Sequence, residues 1–339
     1  MSWPVRGFLR KANPAAIPIV MSPRTLLALV GFAAFTLPTF AADKVPEETF
    51  LEPAEAGPDF AVQGEYVGQG CAAQVIALGA GKFQIVGWSK GLPGAAEDAE
   101  KTVEIPAARD GNRVTFDGEG WKGEITSGQL RGTDKDGNSW DLKRIVRESP
   151  TLGAKPPAGA VVLFDGSNAD AWVNGHIDER KLLQAGTKTK QAFGDFTLHA
   201  EFRTPFKPTA RGQGRGNSGV YLQDRYECQV LDSFALKGEN NEAGGIYTIS
   251  KPRLNMCFPP LSWQTYDIDF TAARFDAEGK KTANAKATVR LNGVIVQDGV
   301  EIPKPTGGGQ PEKATPGPIQ LQGHGNPVFY RNVWIVEKK

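Results

Sequence analysis

The sequence predicts an all-β protein in which a two-sheet sandwich of jelly-roll type follows a small all-β domain. Three observations lead there. Among 339 residues there are 40 Gly and 24 Pro, yet hydrophobic residues still make up 40%, which suits a turn-rich β protein and argues against helical bundles and disorder. Short segments alternate apolar and polar residues along most of the chain. Turn-forming clusters, and not stretches of helical period, separate them.

Charge and cysteine usage narrow the partners. Lys and Arg total 39 against 38 Asp and Glu, a net charge of +1, so nothing points to nucleic acid or a membrane surface. With only three His and three Cys, a His-built catalytic metal centre or a Cys-rich zinc module would have to be assembled from almost nothing.

Residues 1–42 read as an export signal with an upstream segment. Residues 1–20 carry Arg6, Arg10 and Lys11 without an apolar core, whereas Met21-Ser-Pro-Arg24 leads into an apolar run over 25–40. Small residues around Thr39-Phe40-Ala41 place cleavage after Ala41 or Ala42. An uncleaved anchor is the alternative, but Gly31 and Pro38 interrupt the run, which falls short of the ~20 residues a span needs. The expected location is therefore periplasmic or extracellular, with no stable membrane span. In an exported chain Cys71, Cys228 and Cys257 allow at most one bridge, and buried free thiols are the expectation.

The acid- and proline-rich stretch 43–59 reads as a disordered linker. A small β domain follows over 60–148, with strands at 73–78, 82–88, 113–116, 123–125 and 140–145 and turns at Asp110-Gly111-Asn112 and Lys135-Asp136-Gly137-Asn138. No chemistry is visible in it. Residues 149–159, with Pro150, Pro156 and Pro157, read as a stiff linker.

From residue 160 the strands change character. Over 193–204, Phe196, Leu198, Ala200 and Phe202 share one face and Thr197, His199, Glu201 and Arg203 the other. Segment 218–223 turns Val220 and Leu222 inward and Tyr221 and Gln223 outward. Segment 225–232 turns Tyr226, Cys228 and Val230 inward and Glu227 and Gln229 outward. Further strands fall at 266–270, 288–291 and 318–322. Amides, carboxylates and guanidinium groups hold pairs of sugar hydroxyls, and an aromatic face packs on a sugar ring. Shared parity predicts that 196–203, 220–223 and 226–231 lie in one curved sheet, gathering Glu201, Arg203, Glu227 and Gln229 into a groove.

Particular residues follow from that groove. Glu227 is the candidate base or proton shuttle, with only Arg225 as a cation at i±2. Glu227-x-Gln229-x-x-Asp232 is similar to the carboxylate strand of laminarinase-type jelly-roll glycosidases, but Gln229 replaces the middle carboxylate of the pair a retaining glycosidase needs. Cross-strand Glu and Arg pairs on a wet face are the plain alternative. His324, between Gly323 and Gly325, is the second proton-transfer candidate, its reference pKa of ~6.5 suiting neutral pH. Arg203 is placed to stabilise a developing oxyanion, while Asn217, Tyr221, Gln229, Asp232, Gln322, Glu201 and His199 are the candidate substrate-binding residues. The glycine-rich 211–216 segment lacks the Lys-Ser/Thr of a phosphate loop and reads as a loop edging the groove. Asp165-Gly166-Ser167-Asn168-Ala169-Asp170 lacks the terminal Glu of a calcium loop, so an Asx-turn network is expected and structural calcium is the alternative; no other cofactor is called for.

These residues bring a resemblance into view. Val162-Leu163-Phe164-Asp165-Gly166, Asp195-Phe196 to Glu201-Phe202-Arg203, Gly216-Asn217-Ser218-Gly219-Val220-Tyr221 and Tyr226-Glu227-Cys228-Gln229-Val230-Leu231-Asp232 resemble the 3-keto-disaccharide hydrolase domain family. So do Gly245-Ile246-Tyr247, Trp263-Gln264-Thr265-Tyr266 and Ile319-Gln320-Leu321-Gln322-Gly323-His324 to Arg331-Asn332-Val333. The likeness covers about 160–339; Gln264 stands where the family has Asn, and Tyr330 where it has Phe. It implies a concanavalin-like jelly roll, export, and cleavage of glycosides already oxidised at carbon 3 of the sugar. A 3-ketone acidifies the C2–H, so one base can remove that proton, the C1 group can leave by elimination, and water can add back. No carboxylate pair is then required. A non-catalytic carbohydrate-binding jelly roll is the rival reading, and a structural or partner-binding protein a third.

Overall fold

In a computed structural model that describes residues 48–96 and 99–338, the glycine turns of the first domain join eight antiparallel strands into a closed barrel. The strands are β1 Gly64–Gly68, β2 Cys71–Gly79, β3 Lys82–Ser89, β4 Glu100–Asp110, β5 Arg113–Gly118, β6 Trp121–Thr126, β7 Gln129–Thr133 and β8 Ser139–Ile145. Each pairs with the next, and Glu65 opposite Ile145 closes the ring. Period-2 alternation sends Val75, Ile85, Val114, Ile125, Leu130 and Leu142 to the interior. Strand β4 escapes sequence reading because Pro106 interrupts it. The structure tolerates that proline because β5 pairs with β4 only at Ala108–Asp110, so its missing N–H breaks no bond on that side.

The expected disordered linker over 43–59 is corrected over its described part. Phe50 exchanges two backbone hydrogen bonds with Phe206, at 2.9 and 3.0 Å, and helix α1, Gly57–Val62, follows. Phe50 and Phe60 pack against Phe206 with ring centroids 5.9 and 5.2 Å apart. Phe206 comes from the second half of the chain yet is fully buried in the barrel's core cluster. Packing of Phe50 and Phe60 on Phe206, together with the paired backbone hydrogen bonds at Phe50, holds the segment in place. The export-signal expectation lies outside the described residues. Among the described residues no helix is long and apolar enough to cross a membrane.

The second half is a β-sandwich of jelly-roll type. One sheet orders β10 Trp172–Val173, β12 Thr187–Thr189, β21 Gln320–Leu321, β14 Ser218–Leu222 and β15 Tyr226–Val230. The other orders β11 Leu183–Gln184, β22 Phe329–Glu337, β13 Phe196–Arg203, β16 Gln264–Thr271, β19 Ala285–Leu291 and β20 Val294–Ile302, with β9 Val161–Phe164 also on β22; β17 Arg274–Phe275 and β18 Lys281–Ala283 pair as a separate hairpin. Their inner faces form one core, to which β13 contributes Phe196, Leu198, Ala200 and Phe202, and β14 and β15 contribute Val220, Leu222, Tyr226 and Val230. Tyr330 meets the Ser218 hydroxyl at 2.9 Å across this core.

One expectation about the sandwich fails. Parity along each strand is as predicted, but β13 belongs to the second sheet and β14 and β15 to the first. Glu201 and Arg203 therefore face away from the sandwich on one side, and Glu227 and Gln229 on the other. A strand's pattern tells which residues share its faces, and not which sheet it joins.

Candidate active site

The first sheet's outer face holds the site. Tyr221 stands directly opposite Glu227 on β14 and β15, its hydroxyl 2.9 Å from Glu227 Oε2 and 2.6 Å from the Gly307 carbonyl oxygen. Gln322 Nε2 donates to the same hydroxyl at 3.2 Å. One phenolic hydrogen cannot serve two acceptors. When it goes to Gly307, Glu227 completes its own contact by donating a proton, which requires a neutral carboxyl. Burial, which strips water from the charged form, pushes Glu227 up to about 7, against the lowering effect of the Tyr221 hydrogen bond. Arg225 is turned away, its guanidinium donating to Gln223 Oε1 and the Thr315 carbonyl.

Glycine makes the room. A Cβ on Gly219 would stand 2.3 Å from Glu227 Oε1, so the glycine of Asn217-Ser218-Gly219 is what lets the carboxyl lie flat on the sheet. Amides surround it. Gln229 Nε2 donates either to Gln213 Oε1 at 2.8 Å or, with its amide turned over, to Glu227 Oε1 at 2.8 Å. Asn217 Nδ2 also donates to Gln213 Oε1, at 3.0 Å. Gln322 Oε1 is buried without a partner, an acceptor left for a hydroxyl. The site is roofed: Glu227 is only 2% exposed, and the loop carrying Thr306 and Gly307-Gly308-Gly309 lies over Tyr221.

His199, Glu201 and Arg203 are not part of it. The stretch 149–159, expected as a linker, begins as a strap docked on the outer face of the second sheet. Thr151 donates to Asp267 Oδ2 at 2.7 Å, the Gly153 N–H to Glu201 Oε1 at 2.6 Å, and Asn332 Nδ2 to the Ala154 carbonyl at 3.0 Å. Glu201 also accepts from Arg331 Nε at 2.7 Å and Asn332 Nδ2 at 2.9 Å. Burial raises the Glu201 pKa, but His199 and these donors together hold it down to about 2. His199 stacks on Trp334 and contacts Asp267 at 2.7 Å. Burial works against its charged form, yet the two carboxylates win and its pKa is raised. Arg203 donates to Glu52 at 2.7 Å and lies over the Trp263 ring. The groove assigned to these three residues from sequence is thus a fastening for the strap and for the segment before the barrel.

The remaining predicted residues separate as well. Asp232 is held in a buried pair with Arg215, at 2.7 and 3.0 Å, and so serves the 211–217 loop instead of a substrate. His324 is exposed in the loop two residues beyond Gln322. Asp165 Oδ1 accepts from the Ser167 N–H and hydroxyl, an Asx turn. Among the described residues no group of three or more His, Cys, Asp or Glu is placed to hold a metal ion. The three cysteines are free, with Cys228 and Cys257 buried and Cys71 half-buried. Sequence reading missed Gln213 and the 306–309 loop, although the run of three glycines was a visible sign of a close backbone approach.

Comparison with known proteins locates the relatives of this second half. The family profile of the 3-keto-alpha-glucoside-1,2-lyase-like domain matches residues 159–336. Three crystal structures from Parabacteroides distasonis ATCC 8503 that carry glycosyl hydrolase in their names are similar to the chain. One shares 36% identity over 54% of this chain and 85% of its own, with a TM-score of 0.49. The others share 17% and 23% identity, each over 53% of this chain and over 94% and 99% of their own, with TM-scores of 0.39 and 0.37. No curated protein matches. The match to the family begins after the barrel, which inherits nothing from it.

Proposed function

The chain belongs to the 3-keto-alpha-glucoside-1,2-lyase-like domain family, and from that premise we propose that it is an exported enzyme cleaving glycosides whose sugar carries a ketone at carbon 3. The single observation that supports this best is the buried Glu227 carboxyl, with a pKa near 7 and a tyrosine hydroxyl at 2.9 Å. A base for a carbon acid works best when its pKa lies near the working pH. Gln229 occupies the strand position where a carboxylate-pair glycosidase would carry its second acid.

In this reading Glu227 takes the C2 proton, and the electron pair flows into the C3 carbonyl to give an enolate. The enolate re-forms the ketone as the C1–O bond breaks, leaving a C1=C2 double bond, and the departing oxygen takes up a proton. Addition of water across that double bond completes a net hydrolysis, while release before it gives a lyase outcome. Tyr221 and Gln322 Nε2 are the donors at hand for the enolate oxygen, and Gln322 Oε1, Asn217 and Gln229 hold hydroxyls. His324, exposed just past Gln322, is the second proton-transfer group and serves the leaving oxygen. Glu227 is buried, so substrate enters when the 306–309 loop lifts from Tyr221.

A non-catalytic carbohydrate-binding jelly roll is the second reading, favoured by that same burial. The deciding experiment compares a 3-keto-glucoside bearing a chromogenic leaving group with the unoxidised glucoside. Release from the keto compound alone supports the enzyme. Binding of both without release supports the binding protein.

A further inference from the structure

The barrel's two ends differ. At the β2–β3 hairpin end, Asp59 caps the Gly81 N–H at 2.9 Å and Phe50, Phe60 and Phe206 fill the interior. At the opposite end, by Cys71, Gly87 and Trp121, the interior is a cavity of about 210 Å³. Close packing would fill both ends of a barrel with a purely structural role.

The wall of the open end is built for flat rings. Phe116, Gly123, Gly132 and Trp140 stand opposite one another in succession across β5, β6, β7 and β8. A Cβ on Gly123 would stand 2.8 Å from the Phe116 ring, and one on Gly132 2.6 Å from the Trp140 ring. The paired glycines therefore let both aromatics lie down on the strands. Phe116 and Trp140 stack with centroids 6.0 Å apart, and Trp121 sits 6.3 Å from Trp140. None of the residues lining the cavity is charged, and its hydroxyls are those of Ser89 and Thr102.

We propose that the open end of the barrel is a binding site for a neutral monocyclic aromatic molecule, of the phenol class. Size, shape and polarity each select it. An apolar cavity of ~150 Å³ accepts benzene, so about 210 Å³ admits one substituted ring. Edge and face contacts with Trp121 and Trp140 reward planarity. The uncharged lining disfavours ions, and two hydroxyls cannot satisfy the many hydroxyls of a sugar.

Cys71 provides the readout in the unaltered full chain, because it lines this cavity while Cys228 and Cys257 are buried elsewhere. Alkylation of Cys71 by N-ethylmaleimide is followed with and without p-cresol, with glucose as control, and binding is measured by calorimetry. The expected result is at least fivefold protection by p-cresol and none by glucose. Ala73→Met, which fills the cavity, is expected to abolish p-cresol binding, and Trp121→Ala, which removes a wall without adding bulk, to weaken it at least tenfold. Glu227→Gln is expected to leave it unchanged, so this site and the reading of the sandwich stand or fall separately. Unprotected Cys71, equal protection by glucose, or undiminished affinity in a folded Ala73→Met overturns the proposal.

Discussion

Arg203 Nη2 lies 2.7 Å from Glu52 Oε1, so a side chain assigned from sequence to a substrate groove grips a segment assigned to a disordered linker. Arg180 completes the clasp at 2.6 Å from the same oxygen, and burial of Glu52 is outweighed by the two guanidinium groups, which lower its pKa. The contact turns a catalytic residue into a structural one. Arg203→Ala is therefore expected to lower stability by about 1–3 kcal/mol while kcat/KM stays within about threefold of wild type. Urea denaturation beside steady-state turnover checks it, and a hundredfold loss of activity in a stable variant would return Arg203 to the chemistry.

Glu227→Gln is expected to lower kcat on the keto-glycoside by roughly 10²–10⁴-fold with an unchanged near-UV spectrum. In the wild type, kcat/KM rises with pH and levels off above about 7, since the base works deprotonated. Tyr221→Phe removes the hydrogen bond that lowers the Glu227 pKa, so the rising limb moves to higher pH. A pH profile that ignores both substitutions would remove Glu227 from proton transfer.

The strap cluster carries opposite pH signatures. Glu201 is held down to about 2, so its stabilisation is complete above its ordinary value and is lost as pH falls toward 2, on the order of 3 kcal/mol in all. His199 is raised, so its stabilisation is present below its ordinary value and is lost as pH rises through the raised one. Glu201→Gln is expected to flatten the acid limb of the urea midpoint and His199→Gln the limb that begins at the ordinary imidazole value and runs upward. Equal slopes in wild type and variants would contradict the assignment.

Phe206→Ala is expected to cost about 3–5 kcal/mol. Its ring, fully buried, joins the two halves through the barrel core, so scanning calorimetry should resolve one transition in wild type into two in the variant. A single cooperative transition in the variant would mean that other contacts join the halves.

N-terminal sequencing of the exported protein is expected to begin near Ala42 or Asp43, as the apolar run after Arg24 implies. Recovery of Met1 or Met21 from the exported fraction would count against export by cleavage.

Sequence alone determined what depends on neighbours along the chain. Alternation identified the inward faces of β13, β14 and β15, because successive side chains of a strand point to opposite sides whatever the strand pairs with. Ordered motifs over 160–339 identify the family, and the outward strand faces and their flanking loops point to Glu227, Gln229, Asn217, Tyr221 and Gln322, which the fold does bring together. Tertiary structure decided everything that depends on pairing across distance. Whether β13 lies beside β14 is a matter of sheet topology, which period-2 patterning leaves open, and so Glu201 and Arg203 were assigned to the wrong face of the molecule. The barrel closes by pairing Glu65 with Ile145, 80 positions along the chain, and its Phe206 plug meets Phe50 and Phe60 from more than 100 positions away. Burial made the same distinction for charge: Glu201 and Glu227 read alike in sequence, yet four hydrogen-bonding partners hold one near 2 while a dry pocket with one tyrosine lifts the other to about 7.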